Sequence, residues 1–221
     1  THLIGGMGVL VLALAILPAT SSESVHIMKA EVPGPTFGKL VSKLKNTARI
    51  LYIIYLSMTA VLIVLLMLGG MDWFDASVHA FGAAGTGGFG IKATSVLYYN
   101  SAYIDIVLGI AMLVFGVNFY VYYLILIRQA GKAVKNEELR WYLAIVLAAV
   151  VLICLDLFRQ YGSVPRMIRD VFFSVSSVIT TTGYSTADFG SWPLLSQCIL
   201  LLLMFFGACA GSTGGGLKIS R

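Results

Sequence analysis

Long apolar runs alternate with short polar segments along the whole chain. Crossing the ~30 Å hydrocarbon core of a bilayer takes about 20 residues of apolar helix. Runs that reach this length, or much of it, lie at residues 3 to 18, 48 to 70, 103 to 127, 139 to 158 and 193 to 210. The pattern predicts an all-α chain with five membrane spans or part-spans.

Two further apolar segments are too short to span a bilayer. The segment "FDASVHAFGAAGTGGFG" lies between the second and third runs, and "RDVFFSVSSVITTTGYS" lies between the fourth and fifth. Each allows about 10 residues of helix before its glycine, roughly half of a span. We interpret each segment as a re-entrant pore helix followed by a glycine loop.

The two short segments match each other at an offset of 95 residues. The matched pairs are Asp75 and Asp170, Thr86 and Thr181, Gly88 and Gly183, and Phe89 and Tyr184. Further along the chain, Gly116 matches Gly211 at the same offset. We therefore predict an internal repeat of span, pore helix, glycine loop and span.

Composition supports a membrane protein. Hydrophobic residues make up 58% of the chain, charged residues 11%, and the mean hydropathy is +0.89. Most Lys and Arg residues fall before residue 48, between residues 128 and 140, and at the C-terminal end. The positive-inside rule places these segments in the cytoplasm and the glycine loops at the outer face, so the positive charge indicates orientation rather than a nucleic-acid partner.

Other site chemistries lack their sequence context. The loop "GTGGFG" fits the dinucleotide spacing G-x-G-x-x-G, but a short membrane helix precedes it and no βαβ unit follows. Cys154, Cys198 and Cys209 lie in apolar segments without paired or metal-type spacing, and we interpret them as small apolar side chains.

The glycine loops suit cation coordination. In a pore loop, main-chain carbonyls replace the hydration shell of a permeating ion. Glycine permits the backbone conformations that turn successive carbonyls toward one axis. Thr86 and Thr181 would add hydroxyl oxygens, and Phe89 and Tyr184 would wedge the loops against their surroundings.

Asp75 and Asp170 stand where the pore helices are expected to begin. We predict that both aspartates are N-caps that accept hydrogen bonds from free N–H groups. The opposite, partly negative helix ends would then face the permeation path and favour cations.

The motifs "TTTGYSTADFGSWP", "GTGGFG" and "GACAGSTGGGLKISR" resemble the Trk/Ktr family of potassium-uptake membrane subunits, most closely the bacterial Trk type. The resemblance implies four span–pore–span repeats around one pore with K⁺-channel-like pseudo-fourfold symmetry, of which this sequence, as an internal fragment, holds about 2.3. It assigns K⁺ binding at filter carbonyls to Thr86, Gly87, Gly88, Phe89, Thr181, Thr182, Gly183 and Tyr184. K⁺ is the transported ion, and no bound cofactor is expected.

The resemblance also divides the chain into segments. Residues 1–20 would be the second span of repeat 1, and residues 21–47 a cytoplasmic linker. Residues 48–128 would form repeat 2, residues 129–138 a second cytoplasmic linker, and residues 139–221 repeat 3 with a broken last span.

A dense run of glycines interrupts that last span. Each glycine in a helix costs about 1 kcal/mol relative to alanine, so the run favours a loop, although close helix packing is the structural alternative. The resemblance implies a gate below the filter. We predict a mobile loop, because its side chains are small. The gate residues are Gly207, Ala210, Gly211, Ser212, Thr213, Gly214, Gly215 and Gly216.

The leading hypothesis is potassium transport across the bacterial cytoplasmic membrane by a multi-pass subunit that is not an enzyme. One alternative is a secondary transporter with broken helices, although the acidic residues lie near span ends rather than at mid-membrane. The other is a membrane enzyme, although the sequence has no HExxH motif and no nucleophile with its base. The resemblance implies membrane lipid, a homodimer and a cytoplasmic ring of nucleotide-binding regulatory subunits as partners.

Overall fold

The computed structural model describes residues 1–7 and 44–218. Most of the predicted first span, and the linker as far as residue 43, lie outside the described residues. The helices are α1 (His2–Gly6), α2 (Leu44–Leu68), α3 (Trp73–Ala84), α4 (Ala102–Phe115), α5 (Phe119–Leu126), α6 (Ala130–Val134), α7 (Glu137–Leu157), α8 (Val164–Ile179) and α9 (Leu194–Phe205). Short 3₁₀ turns lie at Ser95–Tyr99 and Phe189–Ser191.

Two helices in the described part of the chain, α2 and α7, are long and apolar enough to cross a membrane. The shorter apolar helix α9 has 12 residues. The described part of the predicted second linker contains α6, and α7 begins at Glu137, slightly before the predicted boundary at residue 139.

The apolar run over residues 103 to 127 is not one continuous helix. This segment forms α4 and α5, which are bent by 89° relative to each other. The helix stops because its backbone groups bond elsewhere: the Gly116 carbonyl accepts from the Cys209 N–H at 3.1 Å, and the Phe119 N–H donates to the Gly211 carbonyl at 3.1 Å. The Asn118 side chain then caps α5 by accepting from the Tyr120 N–H at 2.9 Å.

The described residues form two apolar cores. Tyr55 of α2 packs edge-on against Phe115 and Phe119 in the first core, which α2, α3 and α4 share. The second core lies between α5, α7, α8 and α9, with Tyr142 and Ile153 fully buried. Contacts between α4 and α8 join the two repeats. Helix α4 also contacts α3, so it packs against both pore helices and positions the glycine loops that follow them.

Candidate functional site

The two pore helices end at equivalent residues. Helix α3 ends at Ala84 and α8 ends at Ile179, the position that the repeat offset predicts. Helix α8 has 16 residues and α3 has 12, so both are longer than the sequence predicts but shorter than a span.

The backbone of the two glycine loops is also the same. The Gly87 N–H donates to the Gly82 carbonyl at 2.7 Å, and the equivalent Thr182 N–H donates to the Ser177 carbonyl at 2.9 Å. These bonds turn each chain sharply away from its pore helix. The sequence repeat is therefore a repeat of local structure.

In both loops, residues with a left-handed backbone alternate with residues that do not have a positive φ angle. The φ angles are +49° at Thr86 and +64° at Gly88 in the first loop, and +57° at Thr181 and +89° at Gly183 in the second. A threonine at positive φ is a strained outlier, because its Cβ is branched. Strain at the same place in both loops is typical of a functional site.

The two loops meet directly. A Cβ atom at Gly88 would overlap the carbonyl oxygen of Thr182, so only glycine lets the two backbones approach this closely. On the other side, a Cβ atom at Gly183 would meet open space among the described residues. The structure thus brings the predicted filter residues of both repeats together.

The two aromatic residues of the loops differ in their surroundings. Tyr184 is 3% exposed, and its hydroxyl lies 3.1 Å from the carbonyl oxygens of both His79 and Phe89. Its ring stacks on the buried imidazole of His79 at 5.4 Å. Phe89 is 65% exposed and stacks on His2 at 4.8 Å. Tyr184 therefore anchors the first loop from the neighbouring repeat.

The predicted N-cap role of Asp75 and Asp170 is wrong. The N-cap residue of α3 is Asp72, and that of α8 is Ser163. Asp75 lies in the first turn of α3, and Asp170 lies further along α8. Both helices begin earlier than the aspartates, so neither aspartate occupies the N-cap position.

The buried aspartates instead accept hydrogen bonds from tyrosine hydroxyls of flanking segments. Asp75 accepts from the Tyr99 hydroxyl at 2.5 Å and lies 3.8 Å from Lys92. Burial and the adjacent Asp75 carboxylate raise the pKa of Tyr99. Asp170 accepts from the Tyr161 hydroxyl at 3.3 Å and lies 3.7 Å from Arg169. Each aspartate ties its pore helix to the segment beside it.

The sequence interpretation did not predict an ion pair between α4 and α8. Asp105 of α4 is 4% exposed and lies 3.3 Å from Arg169 of α8. Arg169 thus bridges the carboxylates of Asp105 and Asp170. The two repeats meet only in the folded chain, so no local motif identifies this pair.

The glycine-rich run forms a loop that is closed at its base. Helix α9 ends at Phe205, and Phe206 pairs with Leu217 in a single β-bridge. The Gly207 N–H donates to the Leu217 carbonyl at 2.7 Å. We call residues 207–216 the glycine-rich loop. Its closed base indicates a defined element rather than a disrupted helix.

The glycine-rich loop contacts both loops that follow the pore helices; we call these two loops the filter loops, after the predicted filter residues that they hold. The Thr86 hydroxyl donates to the Thr213 carbonyl at 3.0 Å, and the Gly215 N–H donates to the Thr181 hydroxyl at 2.8 Å. The two strained threonines therefore face this loop. All of the predicted gate residues lie in one element at the threonine end of the filter loops.

Metal-type side chains are not clustered in the described segments. No group of three or more His, Cys, Asp or Glu residues there is arranged to hold a metal ion. The cysteines at 154, 198 and 209 are unpaired. The oxygen atoms that meet at the site are main-chain carbonyls and threonine hydroxyls.

Comparison with known proteins identifies the family. Residues 1–221 match the family model described as TrkH, cation transport protein. The chain belongs to the TrkH family. This confirms the resemblance drawn from the glycine motifs. TrkH-family proteins of Escherichia coli K12 and Halomonas elongata illustrate the similarity: the Trk system potassium uptake protein TrkH is 36% identical over 98% of this chain, and TrkI is 30% identical over 99%.

A solved TrkH structure supports the fold. The crystal structure of the potassium transporter TrkH from Vibrio parahaemolyticus matches this chain with a TM-score of 0.83 and 32% identity. The match covers 100% of this chain and 45% of that chain. The chain also covers 46% of the Escherichia coli TrkH protein, so it spans less than half the length of these TrkH-family relatives. The predicted all-α membrane fold with re-entrant loops is confirmed.

Proposed function

We propose that the protein transports K⁺ through a pore lined by the main-chain carbonyls of its two glycine loops. The observation that carries the proposal is the meeting of two loops with the same alternation of positive φ, at Gly88 and Thr182. The names of the relatives, potassium uptake proteins, support K⁺ as the ion.

The alternating backbone has a direct chemical consequence. In an ordinary extended segment, successive carbonyls point to opposite sides. A left-handed residue at every second position rotates the peptide planes, so that successive carbonyls point to one side. Such a row of oxygens replaces the hydration shell of K⁺. The partly negative C-terminal ends of α3 and α8, directly before the loops, add a favourable field for cations.

The glycine-rich loop is proposed as the gate. It lies against Thr86 and Thr181, where each filter loop leaves its pore helix. A loop in this position blocks an ion that leaves the filter, and its withdrawal opens the path. The loop is predicted to be mobile, and its hydrogen bonds to both filters define the state from which it moves.

The remaining assignments follow from the same proposal. We expect a transporter without enzymatic activity, in the inner membrane of a bacterium. We also expect it to act as a homodimer with a cytoplasmic ring of nucleotide-binding regulatory subunits. The division into repeats at residues 48–128 and 139–221 remains a prediction, supported by the matching pore helices and loops.

The test of the filter is ion flux through the purified full-length protein in liposomes. We expect K⁺-selective flux, and we expect Gly183→Ser to weaken the preference for K⁺ over Na⁺ more than it reduces the amount of folded protein. Gly131, which lies in α6 with no described atom near its Cβ position, provides a control substitution, Gly131→Ser. Unaltered selectivity in Gly183→Ser would exclude a filter role for this loop.

The test of the gate is a deletion of several residues between Ala210 and Gly215 in the full-length protein. We expect higher K⁺ flux and weaker dependence on the regulatory subunit. A deletion protein that reaches the membrane with normal flux and normal regulation would show that the loop is structural.

A further inference from the structure

Two charged side chains hydrogen-bond the backbone of the glycine-rich loop within the described residues. The Glu138 carboxylate accepts from the Ala210 N–H at 2.5 Å, and the Lys218 ammonium donates to the Gly214 carbonyl. The charges of Glu138 and Lys218 also interact with each other. Lys218 follows the loop directly in the chain, whereas Glu138 reaches it from a different helix.

The position of Glu138 in its helix is well defined. Helix α7 begins at Glu137, and the Asn136 side chain caps it by accepting from the Leu139 N–H at 3.3 Å. Glu138 is half-buried, and the adjacent Glu137 is exposed. A capped first turn fixes the backbone from which the Glu138 side chain extends.

The bond from Glu138 is stronger than an ordinary backbone hydrogen bond. Its acceptor is ionised, and such bonds are shorter and about twice as strong as neutral ones. Ala210 is 6% exposed, so water cannot easily replace the carboxylate. Removal of Glu138 would leave a buried N–H group without its partner, which favours a different position of the loop.

Other anchors of the loop in the described residues come from the filter loops and from the break between α4 and α5. Thr86 and Thr181 belong to the filter loops, and Gly116 and Phe119 belong to the break between α4 and α5. Glu138 differs, because it is the last residue of the predicted cytoplasmic linker 129–138 and lies in the first turn of α7. Within the described segments, Glu138 is the acidic residue that connects the linker side of the protein to the glycine-rich loop.

We propose that Glu138 is a positioning residue that holds the glycine-rich loop against the filter. The proposal rests on the gate function given above. A shift of the start of α7 moves the carboxylate away from the Ala210 N–H and weakens the closed position. The linker side of the protein thereby controls the loop through one hydrogen bond.

The first test is K⁺ flux through the full-length protein in liposomes, without the regulatory subunit. We expect Glu138→Ala to raise flux about tenfold, since a bond to a charged group changes an equilibrium by at least that order. Glu138→Gln keeps an acceptor oxygen and should restore most of the closed state. Glu137→Ala is the matched control and should leave flux unchanged. Equal flux in Glu138→Ala and the unaltered protein overturns the proposal.

A second measurement follows the loop itself. Cys209 is fully buried beside Ala210, so its reaction with a water-soluble maleimide reports release of the loop. In a background without other cysteines, we expect labelling to be about tenfold faster in Glu138→Ala than in Glu137→Ala, by the same change in equilibrium. The same slow labelling in both variants overturns the proposal, even if flux differs.

The deletion between Ala210 and Gly215 distinguishes a failure of the proposed Glu138 role from a failure of the proposed gate function. If the deletion raises flux and Glu138→Ala does not, the loop is a gate but Glu138 does not hold it. If the deletion also leaves flux unchanged, the gate function fails and the role of Glu138 fails with it. Raised flux in both, with fast Cys209 labelling in Glu138→Ala, supports both.

Discussion

The two filter loops have the same backbone but different supports. In the second loop, the Ser177 hydroxyl accepts from the Gly183 N–H at 3.1 Å and donates to the Tyr184 carbonyl at 2.7 Å. The hydroxyls of Thr180 and Thr182 lie 2.8 Å apart and form a further bond. Hydroxyl side chains within its own repeat therefore hold this loop.

The first loop lacks these hydroxyls. Gly82 occupies the position equivalent to Ser177, and the space of a side chain is taken by the hydroxyl of Tyr184. The Thr86 hydroxyl donates to the carbonyl of Thr213, which, like Tyr184, lies in the later part of the chain. The second loop is thus supported by side chains of its own segment. The first loop, with the same local geometry, is supported by groups from the segment that holds Tyr184 and Thr213. Substitutions that disturb the segment with Tyr184 and Thr213 should therefore affect both loops.

The largest expected effect is a difference between substitutions of Gly88 and of Gly183, the glycines at the centre of the two loops. Alanine at Gly88 or Gly183 must adopt a left-handed backbone, which costs roughly 1–2 kcal/mol. At Gly88 the added methyl also overlaps the Thr182 carbonyl. We expect Gly88→Ala to abolish selective K⁺ flux and reduce the yield of folded protein, and Gly183→Ala to weaken selectivity alone. Equal yields and equal flux in the two variants would show that the loops do not meet.

The next effect tests the support of the first loop by Tyr184. Gly82→Ala places a methyl where the Tyr184 hydroxyl lies, and overpacking of this kind costs about 1–3 kcal/mol. Tyr184→Phe removes that hydroxyl and its hydrogen bonds. We expect the double variant to lose less thermal stability than the sum of the two single variants, measured by unfolding in detergent. Additive losses would contradict the contact.

Ser177→Ala tests the internal support of the second loop. It removes a donor and an acceptor in a buried site, and each unpaired buried group costs about 1–3 kcal/mol. We expect a lower melting temperature and weaker K⁺ over Na⁺ selectivity. Ser77→Ala is the control, because Ser77 lies in the other pore helix and bonds the Trp73 carbonyl in an exposed position. Similar losses in both variants would mean that Ser177 has no special role.

The smallest expected effect concerns the two threonines that face the glycine-rich loop. Thr86→Val and Thr181→Val keep the shape of the side chain and remove one hydrogen bond each, worth about 0.5–1.5 kcal/mol. We expect each variant to raise K⁺ flux a few-fold, and the double variant to raise it further. Lower flux in both variants would favour a direct role of the hydroxyls in ion binding.

Much of the site could be predicted from the sequence, because local preference controls it. Glycine at positions 88 and 183 tolerates a left-handed backbone, and the matched spacing places both loops after a short helix. The predicted N-caps at Asp75 and Asp170 were wrong, because these carboxylates are buried and their partners come from other segments. A capping pattern alone does not distinguish a helix start from a buried acid within the helix.

The sequence alone determined the membrane class, the internal repeat and the glycine loops, because hydrophobic length and glycine content act on neighbouring residues. Tertiary structure decided the break between α4 and α5, the insertion of Tyr184 behind the first loop, and the contact of Glu138 with Ala210. Each of these joins residues far apart in the chain. Their hydrogen bonds exist only once the helices have packed, so no local pattern in the sequence encodes them.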